Sequence, residues 1–226
     1  MLMSPKIRSI LSKEKLKDDE VMKGFIINIR KAKNEDVIVT VLSNSRVENY
    51  YRFFGSRHSI LQIGKLIDFE IEEGNGSFMP KIRHLSEHGF EWLFSANRLL
   101  IWQNFIQLFY PHLKDTTQID KFYFDLLYFS ARRWGKQSPK RLAVEAYLKL
   151  LDYEGRLYDN GFCYICEGIL GEKISLMRAF IPAHPECIYA PAYNKDRIFK
   201  LFDTQSSLYI EDNIIEQLYI LLLKGL

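Results

Sequence analysis

Three cysteines among 226 residues do not make the disulfide framework of a small secreted domain. An export signal is lacking too. The N-terminus is basic, but no apolar stretch leads to a small-residue cleavage site, so a cytoplasmic, reducing compartment is expected. There the cysteines read as thiols or metal ligands. Apolar runs long enough to cross a bilayer are also missing. Trp92 to Tyr110 is interrupted by Asn97, Arg98, Gln103 and Asn104, and Leu218 to Leu223 is far too short, so a soluble protein with no membrane partner is expected. Net charge is scarce as well. A formal +3 does not by itself point to a polyanion, and its distribution says more than its sum.

What is present is globular composition. Hydrophobic residues at 47% and charged residues at 26% exclude disorder for most of the chain, and the length suits one large domain or two small ones. Residues 22 to 60 hold seven Lys or Arg against three Asp or Glu, whereas 61 to 90 hold three against five. Later the balance is nearly even, with ten against eight over 91 to 160 and six against eight over 161 to 226. Any electrostatic footprint therefore belongs mainly to the first module.

The pattern divides the chain. Residues 1–21 are charge-dense with few apolar anchors and read as a loose leader. From Gly24 the period is two: Phe25, Ile27 and Ile29 are expected on one face, and Val37, Val39 and Val41 repeat the alternation after an Asn34-Glu35-Asp36 turn. Further strands are expected from Tyr50 to Phe54, broken by Gly55, and from Leu66 to Ile71, closed by Gly74-Asn75-Gly76. Short strands at this spacing suggest a small barrel over 22–90. After Gly89 the pattern turns helical. One long helix is expected from Trp92 to Phe109, stopping before Pro111, then a second from Ile119 to Trp134. A third should run from Ser138-Pro139 to about Tyr153, and a terminal one from Glu211 to Lys224. This helical domain, 91–226, carries a Gly-, Pro- and Cys-rich insertion at about 160–190.

That insertion holds Cys163-Tyr164-Ile165-Cys166 and, seventeen residues later, His184-Pro185-Glu186-Cys187. This is zinc-ribbon spacing. Zinc takes four thiolate or imidazole ligands in a tetrahedron, and each two-residue spacer can place a ligand pair on one side of the ion. With no obvious hydrophobic core of its own, the insertion would gain stability from the metal. Other readings stay open on sequence alone. The cysteines could be buried small residues, or a redox pair outside its usual βαβ context. His184-Pro185-Glu186 also fits half of a zinc-deaminase signature, but the Cys-x-x-Cys lies upstream of it, in the wrong order.

In the first module, Tyr50-Tyr51-Arg52-Phe53-Phe54-Gly55-Ser56-Arg57-His58 alternates rings with positive donors, and Lys23, Arg30, Lys31 and Lys33 lie on or beside the first strands. Such mixing suits nucleic acid: bases stack on rings and cations neutralise phosphates, neither needing a particular sequence. About half of the rings should instead pack a small barrel, since alternate strand residues face inward. Arg52 and Arg57 are stronger candidates than any single ring, because burying an unpaired guanidinium is expensive. A second basic group, Arg132, Arg133, Lys136, Lys140 and Arg141, straddles the turn between two helices. Gly135-Lys136-Gln137-Ser138 lacks the upstream glycine and the preceding strand of a phosphate loop.

The order of these parts resembles the RecO family. The likeness spans about residues 22 to 200. It is carried by Met22-Lys23-Gly24-Phe25-Ile26, by Arg52 to His58, and by Cys163 to Cys166 with Leu176 to His184. It implies an α+β protein with an N-terminal OB-fold barrel followed by a helical domain with an inserted zinc-ribbon-like element. Many members carry four cysteines, whereas His184 stands in the third ligand position here. The resemblance further implies a non-enzymatic mediator that binds single- and double-stranded DNA, anneals complementary strands, and works with RecR and single-strand binding protein to load RecA. On that reading Lys23, Arg30, Lys31, Lys33, Arg52, Arg57 and His58 contact DNA. Arg132, Arg133, Lys140 or Arg141 receives the acidic tail of single-strand binding protein, and Cys163, Cys166, His184 and Cys187 hold zinc. The competing class is an OB-type scaffold for RNA or protein, with a zinc deaminase last.

Overall fold

Phe25, Ile26 and Ile27 are all fully buried, although consecutive strand residues point to opposite faces. Strand β1 (Met22–Lys31) must therefore be covered on both sides. In the computed structural model, which describes residues 21–73 and 79–226, one side is a barrel interior and the other a layer of helices. Most of the expected leader and the Gly74-Asn75-Gly76 turn lie outside the described residues. Strands β2 (Val37–Ser43), β3 (Val47–Arg52), β4 (Leu66–Glu72) and β5 (Lys81–His88) complete a closed barrel in the order β1-β2-β3-β5-β4. Closure comes from a parallel contact between β3 and β5, in which Tyr51 is the partner of Lys81. This is an OB-fold barrel, as the family likeness implied.

Side-chain parity in β1 departs from simple alternation. Phe25 and Ile27 pack against the helices, but Ile29 joins the interior cluster of Ile26, Val37, Val39, Val41, Tyr50, Ile67, Phe69 and Ile82. The pairing with β2 shifts between Ile26 and Asn28, and an extra residue on one strand reverses every later side chain.

Beyond the barrel, a single helix from Trp92 to Phe109 is not what forms. A 3-10 turn (Glu91–Phe94) precedes α1 (Ala96–Ile106), and the short α2 (Phe109–Leu113) contains Pro111. Ser95, in extended conformation, separates the first two. Pro111 sits in the first turn of α2, where a missing N–H breaks no intrahelical bond. Helices α3 (Lys121–Arg133) and α4 (Pro139–Tyr153) follow. Asp120 caps α3 by accepting the Phe122 N–H at 2.7 Å.

The chain's three tryptophans cluster at the junction of the two parts, which Trp102 bridges. Trp102 donates to the Gly64 carbonyl at 2.8 Å, Trp92 to Ala131 at 2.7 Å and Trp134 to Arg98 at 3.1 Å. Their rings pack together, Trp102 and Trp134 meeting edge to face at 4.9 Å. The turn between β2 and β3 adds a backbone seam to the segment before α3, Val47 donating to Thr117 and Ile119 to Ser45. Trp102 and Phe124 both face Phe25 of β1.

The cysteine segment forms a small sheet, β6 (Lys173–Leu176) between β7 (Pro182–Ala183) and β8 (Tyr193–Asn194), with α5 (Pro185–Ile188). It is not without a core. Cys163, Ile174, Leu176, Phe180 and Ala183 are buried in the same cluster as the helices. Helices α6 (Lys195–Thr204) and α7 (Asp212–Leu222) finish the chain, α7 against α4.

Candidate functional site

Register alone gathers most of the barrel's cations. Lys31 is the partner of Val37 on β2, and Val37 is the partner of Arg52 on β3. Arg30 and Lys31 at the end of β1, Lys33 in the next turn, Arg52, and Arg57 and His58 just beyond β3 therefore share one rim. Lys23 stands apart, near the other end of β1, 3.6 Å from Asp68. Arg30, Lys31 and Lys33 are exposed and have no carboxylate partner among the described residues.

Arg57 pairs with Glu35. Arg52 is held differently: one guanidinium nitrogen donates to the Ile82 carbonyl at 3.1 Å and the other lies 3.4 Å from His58 Nε2. Its buried Nε has no hydrogen-bond partner among the described residues. Lys81 and Arg83, brought to the rim by β5, both contact Glu72.

Between these cations the chain turns sharply after β3. Tyr50 points into the barrel core, but Phe53 and Phe54 remain 49% and 57% exposed. Phe54 has φ 50°, a left-handed conformation that costs a residue with a Cβ about 1–2 kcal/mol. The Asp36 carboxylate holds the turn by accepting the Tyr51 hydroxyl and, at 2.8 Å, the Phe54 N–H. Those two bonds, Tyr51's first, keep the Asp36 carboxyl below its ordinary range. Gly55 is buried beneath the turn, where an added Cβ would meet a Val37 methyl at 2.3 Å. The Arg57 guanidinium lies over the Phe54 ring at 5.6 Å and the Lys81 ammonium over the Phe53 ring at 5.5 Å.

Sequence reasoning missed Lys81, because only the non-local β3–β5 contact brings it to the rim. It also left the two phenylalanines undivided from the core rings. A bulky pair placed directly before a glycine at the end of a strand was the available signal.

The second candidate group separates into two grooves. Arg132 lies over the Tyr128 ring at 6.0 Å and lines a groove of about 620 Å³ with Phe90, Trp92, Arg98 and Lys136. Arg133 lines a smaller one of about 220 Å³, with Phe129, Leu142 and Lys149. Lys140 pairs with Glu216, and Arg141 pairs with Asp212 while donating to the Ser207 and Ile210 carbonyls. Both tie α4 to the segment around α7.

The cysteines and His184 do come together. Cys163 Sγ, Cys166 Sγ, Cys187 Sγ and a His184 ring nitrogen all lie within 4.8 Å of one another. His184 Nδ1 is 3.2 Å from Cys166 Sγ and 3.9 Å from Cys187 Sγ. Ligands around a tetrahedral zinc lie about 3.5–4 Å apart, given metal–ligand bonds of about 2.0–2.3 Å, so the four donors fit a metal ion. The backbone builds each half. Cys163 N–H bonds to the Gly168 carbonyl and Glu167 N–H to the Cys163 carbonyl, while Cys187 N–H returns to the His184 carbonyl in α5. His184 Nε2 is 3.0 Å from the Ile169 carbonyl. That acceptor selects the tautomer with a bare Nδ1 facing the thiols, as outer contacts of metal-binding imidazoles do. Loss of water opposes ionisation of Cys163, but the N–H groups of Cys166, His184 and Ile165 outweigh it and bring the thiol down to about 6.

Residues 22–93 match the family described as RecO N terminal. Comparison with curated proteins returns no match. Among the described residues no helix is long and apolar enough to cross a membrane.

Proposed function

Because residues 22–93 match the family described as RecO N terminal, we propose that this chain is a RecO-family protein acting in DNA repair and recombination, that it binds single- and double-stranded DNA, and that it anneals complementary strands. It acts without catalytic turnover. With RecR, it helps load RecA onto DNA coated by single-strand binding protein. The observation that carries the reading is the barrel rim: Arg30, Lys31 and Lys33, exposed and without carboxylate partners among the described residues, on the same rim as two exposed rings. Annealing by a non-enzymatic mediator requires that repulsion between two phosphate backbones be screened while base edges stay free to pair, and cations at a rim supply that screening. The cysteines and His184 hold zinc in a structural role, since four protein ligands leave no open position for a reacting molecule.

A strand-annealing assay with single-strand binding protein already on the DNA tests the function. In the same assay, Lys31→Ala with Lys33→Ala should slow annealing. It should also flatten the slope of log affinity against log salt by about 1.4 for single strands, at about 0.7 per phosphate contact. Lys23→Ala, already paired with Asp68, should change neither. Equal effects from both variants would move the DNA path off the rim, and failure of the unaltered protein to anneal, with tight binding to folded RNA, would favour the scaffold reading.

For the partner tail, Arg132 is the proposed anchor with Arg133 beside it, because Lys140 and Arg141 tie α4 to the segment around α7, while Arg133 meets only Gln137 and, at 3.9 Å, Glu145. Arg132→Ala with Arg133→Ala should weaken an acidic tail peptide roughly tenfold, the loss of one charge-assisted contact. Unchanged affinity in calorimetry would place the tail on another surface.

A further inference from the structure

Exposed phenylalanines are ordinary on a protein surface, but Phe53 and Phe54 are held in place. Phe54 adopts a backbone conformation that only its surroundings sustain, with Asp36 bonding to its N–H and Gly55 packed underneath. Packing does not account for the cost, since both rings stay about half exposed. A strained conformation retained without burial points to use of the group it displays.

The chemistry around the rings narrows that use. Each carries a cation over it, Arg57 for Phe54 and Lys81 for Phe53, and Arg52 with His58 lies on the same turn. A greasy protein partner would gain little from such a border, and a bare polyanion would gain nothing from the rings. A chain that alternates flat apolar faces with negative charges satisfies both.

We propose that Phe53 and Phe54 form a stacking platform for unpaired nucleobases, and that this pair makes the rim prefer single strands over duplex. The inference rests on the DNA-binding reading above and assigns the base-contacting part of that site. Stacking needs an open base face, which a single strand offers and a duplex interior does not. Phosphates flanking a stacked base fall next to Arg57 and Lys81 and share them with Glu35 and Glu72, so ring and cation act on one nucleotide unit. Because every base has such a face, the platform is indifferent to sequence. Asp36 is its positioning residue.

Bases and phosphates can be separated by choice of ligand. Fluorescence anisotropy would compare a labelled oligothymidine, an abasic strand of equal length and a duplex, using the full chain and its Phe53→Ala, Phe54→Ala variant. The unaltered protein should bind oligothymidine more tightly than the abasic strand. The variant should lose that advantage, by roughly tenfold for each ring, while its affinity for the abasic strand and its salt slope stay the same. Phe53→Leu with Phe54→Leu keeps apolar bulk without a ring and should behave like the alanine variant, and circular dichroism melting checks that both are folded. A base advantage that survives in both folded variants overturns the platform and leaves phosphate binding standing. An unaltered protein that binds no strand at all overturns the DNA reading and the platform with it.

Discussion

Cys166→Ser is expected to cost about 4 kcal/mol of stability in zinc-saturated buffer, the linkage contribution when free metal exceeds its dissociation constant about a thousandfold. Protein purified without chelator should contain close to one zinc per chain by elemental analysis, and the variant should contain almost none. The loss should be local first. Cys163, Ile174, Leu176 and Phe180 are anchored in the main core, whereas Tyr164, Ile165, Phe162 and Ile169 around the four donors are exposed, so a metal bound there would do most to order them. Hydrogen exchange should therefore rise between 162 and 169 and around α5 before the helices lose protection. Metal binding and folding are coupled because the ligands must be deprotonated and brought together, which an unfolded segment does not do. A metal-free protein with an unchanged melting curve would remove zinc from the account.

Trp102→Ala should destabilise the whole chain by about 4 kcal/mol, within the usual cost of truncating a fully buried aromatic residue. At about 2–4 °C per kcal/mol for a chain of this size, the melting midpoint should fall by about 8–16 °C. Several losses coincide there. The ring touches Phe25 of the barrel, Trp92, Trp134 and Phe105, and its N–H satisfies the Gly64 carbonyl. That carbonyl would be left buried without its donor, which adds to the cavity cost. Gly64→Ala should hurt the same junction from the other side, since φ is +90° and a Cβ would come within 2.6 Å of the Trp102 ring. A cost of less than 1 kcal/mol for Trp102→Ala, measured by urea unfolding, would mean that the barrel and the helices are not held together by this residue.

Periodicity and spacing by themselves determined the order of parts: a barrel, then helices, then a segment with four metal-type ligands. These signals are local. Val37, Val39 and Val41 alternate because the strand does, Ser138-Pro139 opens α4 as an N-cap and first-turn proline should, and paired ligands with two residues between them need only a tight turn. What required tertiary structure was whatever depends on partners distant in sequence. One bulge in β1 redirected Ile29, and Ser95 broke what reads as one continuous helical stripe. The cysteine segment proved to share the main core because its sheet packs on helices that come before and after it. The rim depends on such contacts most of all. Barrel closure set Lys81 beside Phe53 and left Lys23 at the far end of its strand. Carboxylates remote in sequence engaged Lys140 and Arg141 but left Lys31 and Lys33 without partners among the described residues. Residue type states which side chains are able to bind a phosphate or stack on a base, but their availability depends on what the fold has already placed against them.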